Sequence, residues 1–361
     1  MKRVLVTGSL GYLGSVLIPY LEKNGFDCVA YDTGFFEDCL LYEASPVKKV
    51  MRDARDIEGK DLVGIDVVVH LAGISNDPFG NLDAVKVYDP TRAYALKIAK
   101  LCKENGVRFI FASSCSVYGI GKGELLDETS PAQPQTPYSL NKLQVEQDLQ
   151  TVADENFSPI AFRFATAFGA SPRMRFDLVT NMLTGMAVAT GKIILNSDGT
   201  PWRPNIHVQD ICKSIKFGID STHRGGLLVL NSGDEKNNLQ VIDIARKVQA
   251  CVPGCELKFL KENPELDKEG LVMDRKVKQG VDTRTYKVSF AKISRIFPGF
   301  KCDWSMDDGI RDMVEKFNSI HLGEAQFKSR NYYRLQKLED LYQSRQLSDE
   351  LRWTQTRHQG Q

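Results

Sequence analysis

Val4-Leu5-Val6-Thr7 runs directly into Gly8, Gly11 and Gly14, and a helical pattern covers residues 12–23. Strand, glycine-rich turn and helix in that order leave few folds open. The glycines let the backbone turn sharply and approach a diphosphate, and the helix N-terminus behind them favours anionic charge. The same alternation continues downstream. Residues 28–32 and 109–112 read as strands, as do 160–164, and 67–72 is apolar enough to be buried on both faces. Helical patterns cover 93–104 and 138–155, and Asn105-Gly106 closes the first of them. Such alternation predicts a parallel sheet with helices on both faces and ligands at the carboxyl ends of the strands.

The expected fold class is therefore α/β, a Rossmann-type doubly wound parallel sheet with a smaller α/β substrate-binding lobe. Residues 1–170 should form the dinucleotide-binding domain, with returning segments near 204–232, where Leu227-Leu228-Val229-Leu230-Asn231 has strand character. Residues 171–320 should form most of the second lobe, with loops at 171–173 and 199–204. Residues 321–361 should form a helical C-terminal extension, a surface helix or dimer arm. With 361 residues there is room for more than one domain.

The formal charge is +1 and carries no basic block for nucleic acid. No long uncharged apolar run suits a membrane span, and no leader is expected before the first strand. The eight cysteines are scattered without a zinc-ligand pattern, so no metal and a reduced, cytoplasmic setting are expected.

Asp32 ends the second strand 18 residues beyond Gly14. A carboxylate there accepts hydrogen bonds from ribose hydroxyls and repels a 2′-phosphate, which favours NAD over NADP. Asp53 is a candidate for the adenine edge. In Thr136-Pro137-Tyr138-Ser139-Leu140-Asn141-Lys142, Tyr138 and Lys142 stand four apart and share a helix face. An ammonium ion beside a phenol favours phenolate, a usable base for an alcohol proton. Alcohol deprotonation beside a dinucleotide suggests hydride transfer at a C–OH carbon. Tyr118 also has a lysine four residues on, Lys122, but Gly119, Gly121 and Gly123 oppose a helix there.

Together, the Thr7–Gly14 run, His70-Leu71-Ala72-Gly73, Ser113-Ser114-Cys115-Ser116-Val117-Tyr118-Gly119, Tyr138-x-x-x-Lys142 and Trp202-Arg203-Pro204-Asn205-Ile206-His207-Val208 resemble the extended short-chain dehydrogenase/reductases, in the NAD-dependent nucleotide-sugar epimerase/dehydratase branch. The likeness extends to about Gly309. It implies catalytic roles for Ser114, Tyr138 and Lys142. It implies a cofactor site built from Gly8, Gly11, Tyr12, Leu13, Gly14, Asp32, Asp53, Ala54, Leu71, Ala72, Gly73, Ser113 and Phe164, with Tyr138 and Lys142. For a nucleotide-diphosphate sugar it implies Ser114, Cys115, Thr166, Arg175, Asn181, Arg203 and Arg284, with Arg173 a further candidate. A structural partner is expected for His70. A homodimer is the family expectation.

Two departures narrow the reaction. Cys115-Ser116 replaces the Asp-Glu pair that 4,6-dehydratases resembling this chain use for elimination. Thr166 takes the place of the usual diphosphate-binding asparagine. The resemblance thus implies a nucleotide-sugar epimerase working through a transient 4-keto sugar. A net NAD(H)-dependent oxidoreductase on an NDP-hexose or NDP-heptose stays open.

Overall fold

The computed structural model describes residues 1–74, 84–269 and 284–355. Seven parallel strands form the central sheet. In chain order they are β1 (Arg3–Thr7), β2 (Asp27–Asp32), β3 (Lys49–Met51), β4 (Val67–His70), β5 (Arg108–Ser114), β7 (Ile160–Phe164) and β11 (Leu228–Ser232). Their spatial order is β11-β7-β5-β4-β1-β2-β3. β1 lies between β2 and β4, with Val4 opposite Cys28 and Val67. β11 pairs with β7, so the segment near residue 228 does return to the sheet.

Side-chain alternation along these strands builds two cores. Val4, Val6, Val67, Val69, Ile110, Ile160 and Phe162 face one side. Leu5, Val68, Phe109, Phe111 and Ala161 face the other. Both faces are covered, as the near-continuous apolar runs of parallel strands require. Helices α1 (Gly14–Lys23), α2 (Ala84–Glu104), α3 (Pro137–Val152) and α5 (Val208–Asp220) cover it. α2 starts nine residues before the expected position and carries Pro90 inside it. The proline disguised that start, because it removes a backbone donor and usually marks a boundary.

Outside the central sheet the described residues form three small sheets. β8 (Thr166–Phe168), β10 (Trp202–His207) and β12 (Asn238–Gln240) form one, β9 (Lys192–Leu195) and β13 (Glu256–Phe259) another, and β6 (Ile120–Leu126) and β14 (Thr285–Val288) the third. Residues 202–204, expected in a loop, are strand. β10 pairs antiparallel with β12 through Trp202–Pro204 and parallel with β8 through Asn205–His207. Pro204 sits at the changeover, where a missing donor is tolerated. Helices α4 (Val179–Thr190), α6 (Val241–Cys251), α7 (Ala291–Ile296) and α8 (Met306–Ser319) follow in the same part of the chain. The segment preceding Arg284, at 270–283, lies outside the described residues.

After α9 (Glu324–Phe327) and α10 (Arg334–Gln343) the chain folds back on itself. Leu338, Leu341, Leu347 and Leu351 bury against Tyr88, with Phe35, Phe36, Ile74, Tyr138 and Trp353 around them. The extension therefore packs against α2, the start of α3 and the turn after β2 of its own chain. Its apolar spacing is spent within the chain.

Candidate active site

One cleft runs along the carboxyl ends of β1, β2, β4, β5 and β7. Gly8, Gly11, Tyr12, Leu13 and Gly14 line it, with Asp32, Asp53, Ala54, Leu71, Ala72 and Gly73. Ser113, Ser114, Tyr138, Lys142 and Phe164 continue it, and Thr166, Arg175, Arg203 and Arg284 line it too.

The glycine turn is as tight as its sequence implies. Gly8 has φ +71°, and a Cβ there would lie 2.7 Å from the Ala72 nitrogen. A Cβ on Gly14 would meet the carbonyl oxygens of Gly8 and Ser9 at 2.5 Å. Thr7 Oγ1 ties the ends of β1 and β4 together. It meets His70 Nδ1 at 2.8 Å and accepts from the Ala72 N–H at 3.3 Å. His70 thus has its structural partner, and burial pulls its pKa down to about 3. Asp32 accepts from the Leu10 N–H at 2.9 Å and the Gly34 N–H at 2.7 Å, which fixes the carboxylate at the cleft wall. Asp53 is clasped by Arg55, whose Nε and backbone N–H both donate at 2.9 Å. A close-approach glycine turn at a helix N-terminus, with a carboxylate at the end of β2, fits a dinucleotide.

The catalytic candidates come from two adjacent elements. Ser114 ends β5 and caps a short turn, its hydroxyl accepting from the Ser116 N–H at 3.1 Å. Tyr138 and Lys142 lie on α3, which opens with Thr136 as N-cap, Pro137 behind it, and a reciprocal Thr136–Ser139 capping pair. Asn141 Nδ2 donates to the Tyr88 carbonyl at 2.8 Å and locks α3 against α2. Lys142 Nζ donates to the Ala112 carbonyl at 2.7 Å. It stands 4.7 Å from the Phe111 ring centre and 5.7 Å from that of Tyr138. Burial lowers its pKa to about 8, against the pull of Glu146. Lys142 thus still carries its charge at neutral pH, one turn from the phenol it is expected to activate.

Behind Lys142 lies a buried network. Arg163 donates to Glu146 through Nη2 at 2.7 Å and Nε at 3.0 Å, and to the Tyr118 hydroxyl at 3.0 Å. Ser113 donates to Glu146 as well. The Tyr118 hydroxyl in turn donates to Asn231 Oδ1 at 2.8 Å, so it is a member of the core network.

Two expected substrate residues are placed elsewhere. Cys115 is 1% exposed, and its thiol donates to the Arg163 carbonyl at 3.1 Å. The chain turns inward right after Ser114, and burial pushes the thiol pKa far up. Asn181 is fully buried on α4. It donates to the Tyr12 hydroxyl at 3.2 Å and the Arg175 carbonyl at 3.1 Å, and accepts from the Gly169 N–H. It braces Tyr12 of the glycine turn against α4 and the Arg175 carbonyl. Arg175 is paired with Asp177, Nε to Oδ1 at 2.9 Å, and Arg203 is anchored on the carbonyls of Trp202 and Arg284. Arg173 is buried beside the cleft and does not line it.

Sequence reasoning missed Phe35, Phe36, Tyr94 and, above all, Arg334, Leu338, Glu350 and Leu351 of the C-terminal extension, which line the same cleft. Phe35-Phe36, three residues after Asp32 in a turn, could have been noticed, since two adjacent aromatics in a turn call for a partner.

Residues 4–228 match the model of the NAD dependent epimerase/dehydratase family. The chain belongs to that family. The UDP-glucose 4-epimerase of Azospirillum brasilense is 27% identical over 260 residues, spanning 64% of this chain and 72% of that protein. An NAD-dependent NDP-hexosamine 5,6-dehydratase superposes with TM-score 0.72 at 22% identity, covering 88% of this chain and 98% of that one. The UDP-glucuronic acid 4-epimerase of Bacillus cereus, solved with UDP-glucuronic acid and NAD, gives TM-score 0.71 at 21% identity over 88% and 100%. At those identities the structural likeness speaks for the fold. Within the family, the cofactor is NAD. No helix among the described residues is long and apolar enough to cross a membrane.

Proposed function

We propose that this chain is a nucleotide-sugar 4-epimerase in which Tyr138 is the proton-transfer residue, Lys142 tunes it, and Ser114 orients the sugar. The observation that carries this reading is the convergence of Ser114, Tyr138 and Lys142 on the cleft that also holds the glycine turn and Asp32. Tyr138 takes the proton from the sugar C4 hydroxyl as phenolate and returns it as phenol. Lys142 favours the phenolate electrostatically and presents its remaining N–H donors to ribose hydroxyls. Ser114 donates to the reacting oxygen while its lone pair holds the Ser116 N–H. NAD held in the cleft would supply the acceptor and the donor for the C4 hydride. Arg203 and Arg284 sit where the sugar's diphosphate would need guanidinium donors. After oxidation the 4-keto sugar turns over within the second lobe, and reduction from the opposite face gives the epimer.

No carboxylates stand in the Cys115-Ser116 positions, and both of those residues are buried, which disfavours elimination chemistry. UDP-glucose and UDP-glucuronic acid are the sugar nucleotides named for relatives, so a UDP-hexose is the first substrate to try. A cytoplasmic homodimer, in a biosynthetic route to a carbohydrate, belongs to the same reading. So does the division into a cofactor domain, a substrate lobe and a C-terminal extension.

The test is proton NMR of purified protein with UDP-, GDP-, dTDP- and CDP-sugars, no cofactor added. Catalytic formation of an epimer is expected, and Tyr138→Phe should abolish it while leaving NAD bound. Undiminished turnover by that variant would sink the mechanism.

A further inference from the structure

We propose that Arg334, supplied by the C-terminal extension and steadied by the Arg173 carbonyl, is a cofactor-binding residue that holds the diphosphate of NAD. The extension thereby retains the cofactor through turnover. This rests on the NAD-dependent reading of the same cleft.

Arg334 is the first residue of α10, is 5% exposed, and lines the cleft with Gly11, Tyr12 and Asp32. Its guanidinium stands 4.1 Å from the Phe36 ring centre, and Nη2 donates to the Arg173 carbonyl at 3.0 Å. Its Nη1 is buried and finds no hydrogen-bond acceptor among the described residues. The same holds for Nε and Nη1 of Arg173, which is also 5% exposed. A guanidinium that served the fold alone would have its buried donors satisfied. Here three buried donors on two neighbouring cations lack acceptors, next to a site built for a dinucleotide.

The local charge points the same way. Among the described residues Arg173 and Arg334 both act on Asp32, and Arg175 and Asp177 flank Arg334. Glu37 and Asp38, further out, are already paired with Lys49 and Lys337. A diphosphate is the kind of anion such a cationic corner suits, and guanidiniums bind it through parallel N–H donors.

The rest of the extension secures Arg334 to the adenosine side of the cleft. Trp353 Nε1 donates to the Thr33 carbonyl at 2.7 Å, and Lys337 meets Asp38 at 2.7 Å. Arg55 Nη1 donates to the Glu350 carbonyl at 2.6 Å, and Arg352 pairs with Asp56 at 2.8 Å. Each of these contacts joins the extension to the turn after β2 or to residues 55–56, both beside the cofactor cleft. Such a strap suits an enzyme that must keep its NAD between the two hydride transfers.

The test is calorimetric binding to the full-length protein, stripped of nucleotide, of NAD, ADP-ribose, adenosine and UDP. Arg334→Gln should weaken NAD and ADP-ribose by roughly 10- to 100-fold, as expected for a lost hydrogen bond to a charged group, and leave adenosine within about 2-fold. Arg334→Lys should fall between, because an ammonium keeps the charge and loses the fork. Less NAD should also accompany Arg334→Gln through purification. Unchanged NAD affinity overturns the proposal. So does an equal loss for NAD and adenosine, which would make Arg334 a purely structural residue, or a loss confined to UDP, which would place it on the substrate. Should Arg334→Gln fail to fold, Arg334→Lys and the salt dependence of NAD against adenosine on the parent protein decide the matter. Failure of the parent protein to bind NAD at all would overturn the cofactor reading itself.

Discussion

Glu146→Gln tests how the interior supports the active site. The Glu146 and Arg163 side chains are 4% and 8% exposed and joined by a forked pair at 2.7 Å. Removing one partner of such a pair leaves an uncompensated buried charge, at a cost of about 3–5 kcal/mol. Glutamine keeps the shape and one acceptor, so the lower end, about 3 kcal/mol, is expected. That is a large part of the ~5–15 kcal/mol that holds a typical domain together, and urea unfolding at neutral pH will show it. Glu146→Met combined with Arg163→Met should recover most of the loss, because no orphan charge remains. A functional effect follows from the same geometry. The Glu146 carboxylate favours the Lys142 ammonium against the burial that lowers its pKa to about 8. Without it that pKa falls further, less ammonium survives at a given pH, and the alkaline limb of the rate profile moves to lower pH. A loss of stability under about 1 kcal/mol with an unmoved alkaline limb would refute both parts of this reasoning.

Gly14→Ala should abolish NAD binding or folding, because its Cβ would sit 2.5 Å from two carbonyl oxygens; wild-type NAD affinity in that variant would contradict the tight turn. His70 and His207 are buried and held neutral, each with its pKa pulled down to about 3. In the unfolded chain each takes a proton near pH 6.5, so stability is lost as pH falls below that value, by about 2 kcal/mol per histidine by about pH 5. His207→Asn keeps the cap on the Gln209 N–H and should flatten this loss by about half in urea titrations at descending pH; an unaltered slope would contradict it. Asn181→Ala should loosen the glycine turn, weakening NAD more than the sugar nucleotide in equilibrium binding; an effect on the sugar nucleotide alone would return Asn181 to the substrate site.

Much of this site was legible because its residues sit at strand ends, where local pattern determines position. Thr7 to Gly14, Asp32, Ser114 and the Tyr138–Lys142 pair each follow a recognisable strand or open a capped helix. Side-chain direction at a turn was harder to read. Cys115 follows Ser114 in sequence, yet the short turn after β5 sends its thiol into the core. Asn181 looked like a ligand residue and is a brace, because its partner Tyr12 lies 169 residues away. The greatest loss was the C-terminal extension. Its contacts with Thr33 and Arg55 span about three hundred residues, and helical periodicity says which face is apolar without saying what covers it. The proline-marked stretches, α2 near Pro90 and β10 at Pro204, were misread for a local reason: tertiary pairing overrode a residue that usually ends an element.

The central claim is that the hydride leaves C4 and returns to it without exchanging with water. The most direct measurement uses a nucleotide sugar deuterated at C4, incubated with the protein and no added cofactor, and followed by NMR. Many turnovers to the 4-epimer with deuterium kept at C4 are predicted. Loss of the label to solvent, or a single equivalent of 4-keto sugar with reduced cofactor left on the protein, would contradict the account.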